Sequence, residues 1–187
     1  MTGGDPAQPL VTLSVYELLA AVSARTPAPG GGAAAALTTA MAASLTAMAA
    51  RFDKDPDRAP GLAVLADDVR DRAAALADAD GVAYARYVAA RRARAGDLEQ
   101  ALDGAVAVPL EVSELAERIA VAAHTLAHEG NQYLRGDATT ACWLAAAAAR
   151  SASGLVRENL TARPADERIE QARVSADRAH ECAYRLL

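Results

Sequence analysis

An all-α single-domain bundle of five to six helices, with an alanine-rich helix at its centre, is the fold class this sequence predicts. Alanine supplies 51 of the 187 residues and aromatic residues only 4%. No stretch alternates apolar and polar residues over the length of a strand. Alanine is the best helix former, whereas sheets draw on β-branched and aromatic residues, so the composition builds helices packed through small side chains. A chain of this length buries roughly two-thirds of its unfolded surface as one domain; residues 1–12 are expected to be flexible.

The elements follow in order. Ser14 and Glu17 form a capping box that starts a short helix through Leu18, Leu19 and Val22. Thr26-Pro27-Ala28-Pro29-Gly30-Gly31-Gly32 ends it and leads into a second helix from about Gly32 to Phe52, small on every face. Prolines stiffen that approach, and glycines allow a neighbouring group to come close at a helix start rich in unpaired N–H groups. Asp53–Ala59 reads as a loop. Pro60 suits the first position of a third helix reaching about Ala95, and Gly96 stops it.

A fourth helix spans Leu98 to about Glu129, with a kink predicted at Pro109, and Gly130-Asn131 supplies its C-terminal turn. Asp137 is the predicted N-cap of a fifth helix running to about Leu160. Pro164 opens a last, amphipathic helix carrying Ile169, Ala172, Ala176, Ala179 and Ala183 on one stripe.

Several classes are disfavoured. The net charge of −5 comes without a basic stripe, so no nucleic-acid partner is expected. Thr26–Ala50 is uncharged and long enough to span a bilayer, but Ala, Thr, Ser and Gly leave it weakly apolar, and no membrane association is expected. No secretory signal precedes it, and Cys142 and Cys182 have no paired spacing; both observations fit reduced core cysteines in a cytoplasmic protein. His124 and His128 stand four apart without a third ligand, so no metal is expected. Gly30–Gly32 lacks the Lys-Ser/Thr of a phosphate-binding loop.

Two groups of residues offer chemistry. Asp78 and Asp80 lie on the third helix, where Asp80 shares a face with Tyr84 and Tyr87; a carboxylate beside aromatic rings holds a planar cation and exchanges a proton with it. Asn131, Asp137 and Asn159 stand at helix ends or among apolar neighbours. Each group also has an ordinary reading, as a solvated edge or as caps.

Taken in order, these segments resemble the cyclodeaminase/cyclohydrolase family of one-carbon folate enzymes. The likeness rests on Tyr16-Glu17-Leu18-Leu19, Pro27–Gly32 with the small-residue helix behind it, and Asp78-Ala79-Asp80-Gly81-Val82-Ala83-Tyr84. It continues through Val108-Pro109-Leu110, Gly130-Asn131, Gly136-Asp137 and Val156-Arg157-Glu158-Asn159-Leu160. The resemblance implies an all-helical fold, a homodimer or higher homo-oligomer, a reduced folate as substrate, and no separate cofactor. The chain departs from the family at Arg51-Phe52-Asp53-Lys54-Asp55, at Arg91–Gly96 and at Ala33, where glycine-lysine, leucine-proline-lysine and serine are usual.

The implied chemistry is hydrolysis of methenyltetrahydrofolate, or cyclisation of formiminotetrahydrofolate with loss of ammonia. Both pass through a tetrahedral carbon bearing nitrogens and both move protons near a cation. Asp80 and Asp137 are the candidate catalytic carboxyls. Pro29, Gly30, Gly31, Gly32, Asp78, Tyr84, Asn131 and Asn159 are the candidate substrate-binding residues, with Arg51 and Arg91 for the folate glutamate tail. Two alternatives stand beside this reading: an enzyme repurposed for another nitrogenous small molecule, and a non-catalytic helical dimer.

Overall fold

Six α-helices occur among the described residues: α1 (Val15–Ser23), α2 (Gly31–Arg51), α3 (Ala59–Ala93), α4 (Leu98–Glu129), α5 (Arg135–Asn159) and α6 (Glu167–Tyr184). Single 3-10 turns precede α1 at Leu10–Thr12 and α5 at Gln132–Leu134. The computed structural model describes residues 8–94 and 96–187, and no strand occurs among them. Of the segment expected to be flexible, residues 1–7 lie outside the described residues.

Helices α2, α4 and α6 run one way and α3 and α5 the other. Gly32 of α2 meets Asp80 of α3, while Arg51 at the far end of α2 pairs with Asp67. Along α4 and α5, the Ala105 carbonyl meets Asn159 and the Ala120 carbonyl meets Cys142. The bundle therefore has two distinct ends. One gathers the start of α2 and the end of α5; the other gathers the end of α2, the end of α4 and the start of α5.

Helix α2 packs against α3, α4 and α5, and its alanines are why it can. Ala33, Ala36, Ala42, Ala43 and Ala50 are fully buried, and side chains of one methyl group let helix axes come as close as about 8 Å. Thr39 and Thr46 are buried beside them, and their hydroxyls donate to the carbonyls of Ala35 and Ala42, so no polar atom is left unpaired. By length and apolarity α2 would suffice to cross a membrane, yet 56% of the relevant window is buried inside the bundle.

Both cysteines are unpaired. The Cys142 thiol is fully buried, and burial pushes its pKa up to about 12.

Some boundaries differ from the sequence expectation for physical reasons. The 3-10 turn Gln132–Leu134 winds directly into α5, so the helix starts at Arg135 and Asp137 lies inside its first turn instead of capping it. Helix α6 begins at Glu167, because the Asp166 side chain accepts from the Arg168 N–H at 3.1 Å. Helix α4 continues through the buried Pro109 as a single helix. Helix α1 has its predicted capping box, but no residue of it is buried and no other element packs along it.

Candidate active site

The first turn of α2 is capped from a neighbouring helix. Gly30, the N-cap residue, has no side chain to offer, and the Asp80 carboxylate of α3 takes that role by accepting from the Ala33 N–H. The space this requires is provided by Gly32: a Cβ there would lie 2.0 Å from Asp80 Oδ1. At Gly32 the group that comes close is therefore a side chain of the protein itself. The positive end of the α2 dipole and the N–H group favour the ionised carboxylate, but burial outweighs them and holds the Asp80 pKa above the usual carboxylate range.

Asp78, two residues earlier, faces elsewhere. Its Oδ1 accepts from the Leu10 N–H at 2.9 Å and ties the N-terminal 3-10 turn to α3. Between that turn, the proline-glycine segment and α3 lies a cleft of about 450 Å³, walled by Pro9, Leu10, Ala28, Pro29, Asp78, Gly81 and Val82. Ala28 reaches close to α3 because residue 81 is glycine; a Cβ there would sit 3.2 Å from the Ala28 methyl. A second cleft of about 410 Å³, shared with α4, adjoins Asp78 and Val82 and is lined also by Arg86, Gln100 and Val108. The pair of clefts is mostly apolar, with a carboxylate and a guanidinium as its charged groups, the composition of a small-molecule site.

Other predicted residues divide between the two ends. Gly31 lines a groove with Leu155 of α5, and Tyr84, 44% exposed, follows Asp80 by one helical turn. Asn159 is at this end as well, but its Nδ2 donates to the Ala105 carbonyl at 2.9 Å, which gives it a structural partner. Asn131 and Asp137 are not brought to this site. Asn131 Nδ2 donates to the Phe52 carbonyl at 3.1 Å and its Oδ1 accepts from the Tyr133 N–H, which fixes it at the far end of α2, about 30 Å along that helix from Gly31. Asp137 is two residues into α5 at the same far end.

The two arginines suggested for the substrate tail fall outside the clefts. Arg51 pairs with Asp67 at the far end, and Arg91 is exposed near the end of α3. The sequence reading missed Arg86, whose side chain is 55% exposed and whose guanidinium lies 3.6 Å from Asp97 and 3.3 Å from Gln100 Oε1. The available signal was spacing: Asp78, Val82 and Arg86 follow one another at single-turn intervals on α3. No group of three His, Cys, Asp or Glu side chains among the described residues is arranged to hold a metal; His124 Nδ1 instead lies 2.9 Å from the Cys182 carbonyl.

Known proteins share this architecture. A formiminotetrahydrofolate cyclodeaminase from Thermotoga maritima superposes with a TM-score of 0.86 at 28% identity over 95% of both chains. The formimidoyltransferase-cyclodeaminase of Mus musculus is 32% identical over 143 aligned positions, in a match that covers 67% of this chain and 26% of the mouse protein; the matched region thus corresponds to about a quarter of that relative. The family model described as Formiminotransferase-cyclodeaminase matches residues 14–178. With that match covering most of the bundle, and with the all-helical fold in common, the chain belongs to the formiminotransferase-cyclodeaminase family.

Proposed function

We propose that this protein acts on a C–N bond of an amidine-type one-carbon folate, closing formiminotetrahydrofolate to the methenyl form with release of ammonia. Two similar proteins are named for cyclodeaminase activity. The observation that carries the reading here is Asp80, a half-buried carboxyl with a raised pKa, held against the first turn of α2 and standing on α3 between Asp78 and Gly81, which line the first cleft.

The chemistry calls for such a group. One folate nitrogen attacks the formimino carbon, forming a new C–N bond, and the old C–N bond to the departing amine breaks. A proton must pass from the attacking nitrogen to the departing one before ammonia leaves. A carboxyl whose pKa is raised accepts and returns that proton more readily than an ordinary one. Once ionised, it faces the cationic methenyl product and favours its formation. Arg86 is suited to the carboxylate of a glutamate tail, and the apolar cleft walls to the ring system.

The test follows methenyltetrahydrofolate absorbance and ammonia release together, with formiminotetrahydrofolate as substrate, in wild type and Asp80→Asn. Both signals should rise in wild type and fall at least about 100-fold in the variant. With methenyltetrahydrofolate supplied in a parallel assay, loss of its absorbance, without any ammonia from the formimino substrate, would assign the hydrolytic reaction instead. No turnover of either folate would leave another amidine as the substrate class.

A further inference from the structure

The last turns of α4 and α6 are joined through two histidines. In the last turn of α6 the Cys182 carbonyl lacks its helical partner, because the Leu186 N–H turns to Ala183 at 3.1 Å. His124 of α4 fills that place, with its Nδ1 2.9 Å from the carbonyl oxygen. A carbonyl oxygen can only accept, so Nδ1 carries the proton and the lone pair of the ring is left on Nε2.

His128 stands one turn further along α4. The two ring centres are 4.6 Å apart, with the planes inclined at 60°. Two imidazoles that share one ion, at Zn–N distances of about 2.0–2.1 Å, place their ring centres about 4.5–5 Å apart. The pair therefore already has the spacing of a chelate. His124 is half-buried and held by its hydrogen bond, whereas His128 is exposed at the rim, which gives one fixed arm and one that can adjust. Both helices present their carboxyl ends here, and the negative end of each dipole favours a cation.

We propose that His124 and His128 form a site for one divalent transition-metal ion, bound through Nε2 of His124 and a ring nitrogen of His128. No third His, Cys, Asp or Glu converges on the pair among the described residues, so water completes the coordination and the ion is exchangeable. Imidazole donors select zinc, nickel or copper, while magnesium and calcium prefer oxygen. The Cys182 carbonyl acts as the outer partner that orients the ring and fixes its tautomer. A bound ion withdraws electron density from the ring and makes Nδ1–H a stronger donor, which tightens the link between α4 and α6. His180, whose ring packs with those of Trp143 and Tyr184 at 6.2 Å from each, takes no part. The site stands at the end of the bundle that holds Asn131, away from both clefts, and does not depend on the folate reading.

Tag-free protein has three histidines, so zinc chloride can be followed ring by ring in long-range proton–nitrogen spectra, with calorimetry for stoichiometry. One ion should bind per chain. The His124 Nε2 and His128 signals should move, the His124 Nδ1 should stay protonated, and His180 should be unaffected. The melting temperature should rise with zinc, fall back on adding a chelator, and ignore magnesium. His128→Ala should keep its helical circular dichroism, since His128 is exposed, and bind zinc at least about tenfold more weakly, because removing even an outer partner of a metal site costs that much. Cys182→Ser, which retains the carbonyl, and His180→Ala should bind as wild type does. Absence of saturable zinc binding, full affinity in His128→Ala, or affinity lost in Cys182→Ser or His180→Ala overturns the site.

Discussion

Asn159 supplies the hydrogen bond that Pro109 cannot make. In an α-helix the Ala105 carbonyl would accept from the N–H four residues on, but residue 109 is proline and has none. The Asn159 amide, arriving from the end of α5, donates to that carbonyl at 2.9 Å. Two residues 50 positions apart in sequence thus act as one unit joining α4 to α5.

A double-mutant cycle measures this unit. Asn159→Ala should cost about 1–2 kcal/mol in urea unfolding by leaving a buried carbonyl unpaired. In a Pro109→Ala background the new N–H fills the vacancy, and the cost of Asn159→Ala should fall towards zero. Equal losses in both backgrounds would refute the pairing.

Gly31 and Gly32 should respond differently to alanine. At Gly31 the new methyl would meet only Leu155 at 3.9 Å, an ordinary contact, and both stability and turnover should be retained. At Gly32 it would occupy the position of the Asp80 carboxylate. Rotation of that carboxylate away should cost about 1 kcal/mol through the lost cap, and turnover should fall far more than stability. Thermal melts and kcat measured on both variants test the contrast.

Asp80 sets a pH dependence of definite sign. Its folded-state pKa is raised, so its contribution to stability is greatest below the unfolded value of ~3.9 and declines as pH rises through the folded value. Asp80→Asn does not titrate. Its melting temperature relative to wild type should therefore become more favourable as pH is raised from about 4 to 7, while its activity stays low. A difference that moves the other way contradicts the assigned burial.

Asp166 should behave oppositely. The Arg168 guanidinium, bonded to both its oxygens at 2.9 and 2.7 Å, holds its pKa at about 2. Its stabilisation is present above the unfolded value of ~3.9 and is lost as pH falls towards the folded value. Asp166→Ala should melt below wild type at neutral pH, and the gap should close in acid. A pH-independent gap would mean that only the cap geometry, and not the ion pair, matters.

Arg86→Ala offers a test of substrate anchoring. If its guanidinium meets a tail carboxylate remote from the reacting carbon, KM should rise several-fold with kcat little changed, because such binding is equal in ground and transition states. Steady-state kinetics with mono- and polyglutamylated folate would show the change.

What the sequence determined by itself was local. Alanine content, the Ser14–Glu17 capping box, Pro60 and the proline-glycine run specify where helices begin and how closely they can pack, because those effects act within a few residues. The ordered motifs around Asp78, Asp80, Asn131 and Asp137 were enough to indicate the family. Only the tertiary structure decided which distant groups share space. The room opened by Gly32 is filled by Asp80, the amide of Asn159 is spent on the vacancy at Pro109, and Asn131 and Asp137 are held a helix length away from Asp80. Such pairings depend on helix direction and register, set by the packing of whole faces, and no short stretch of sequence encodes them.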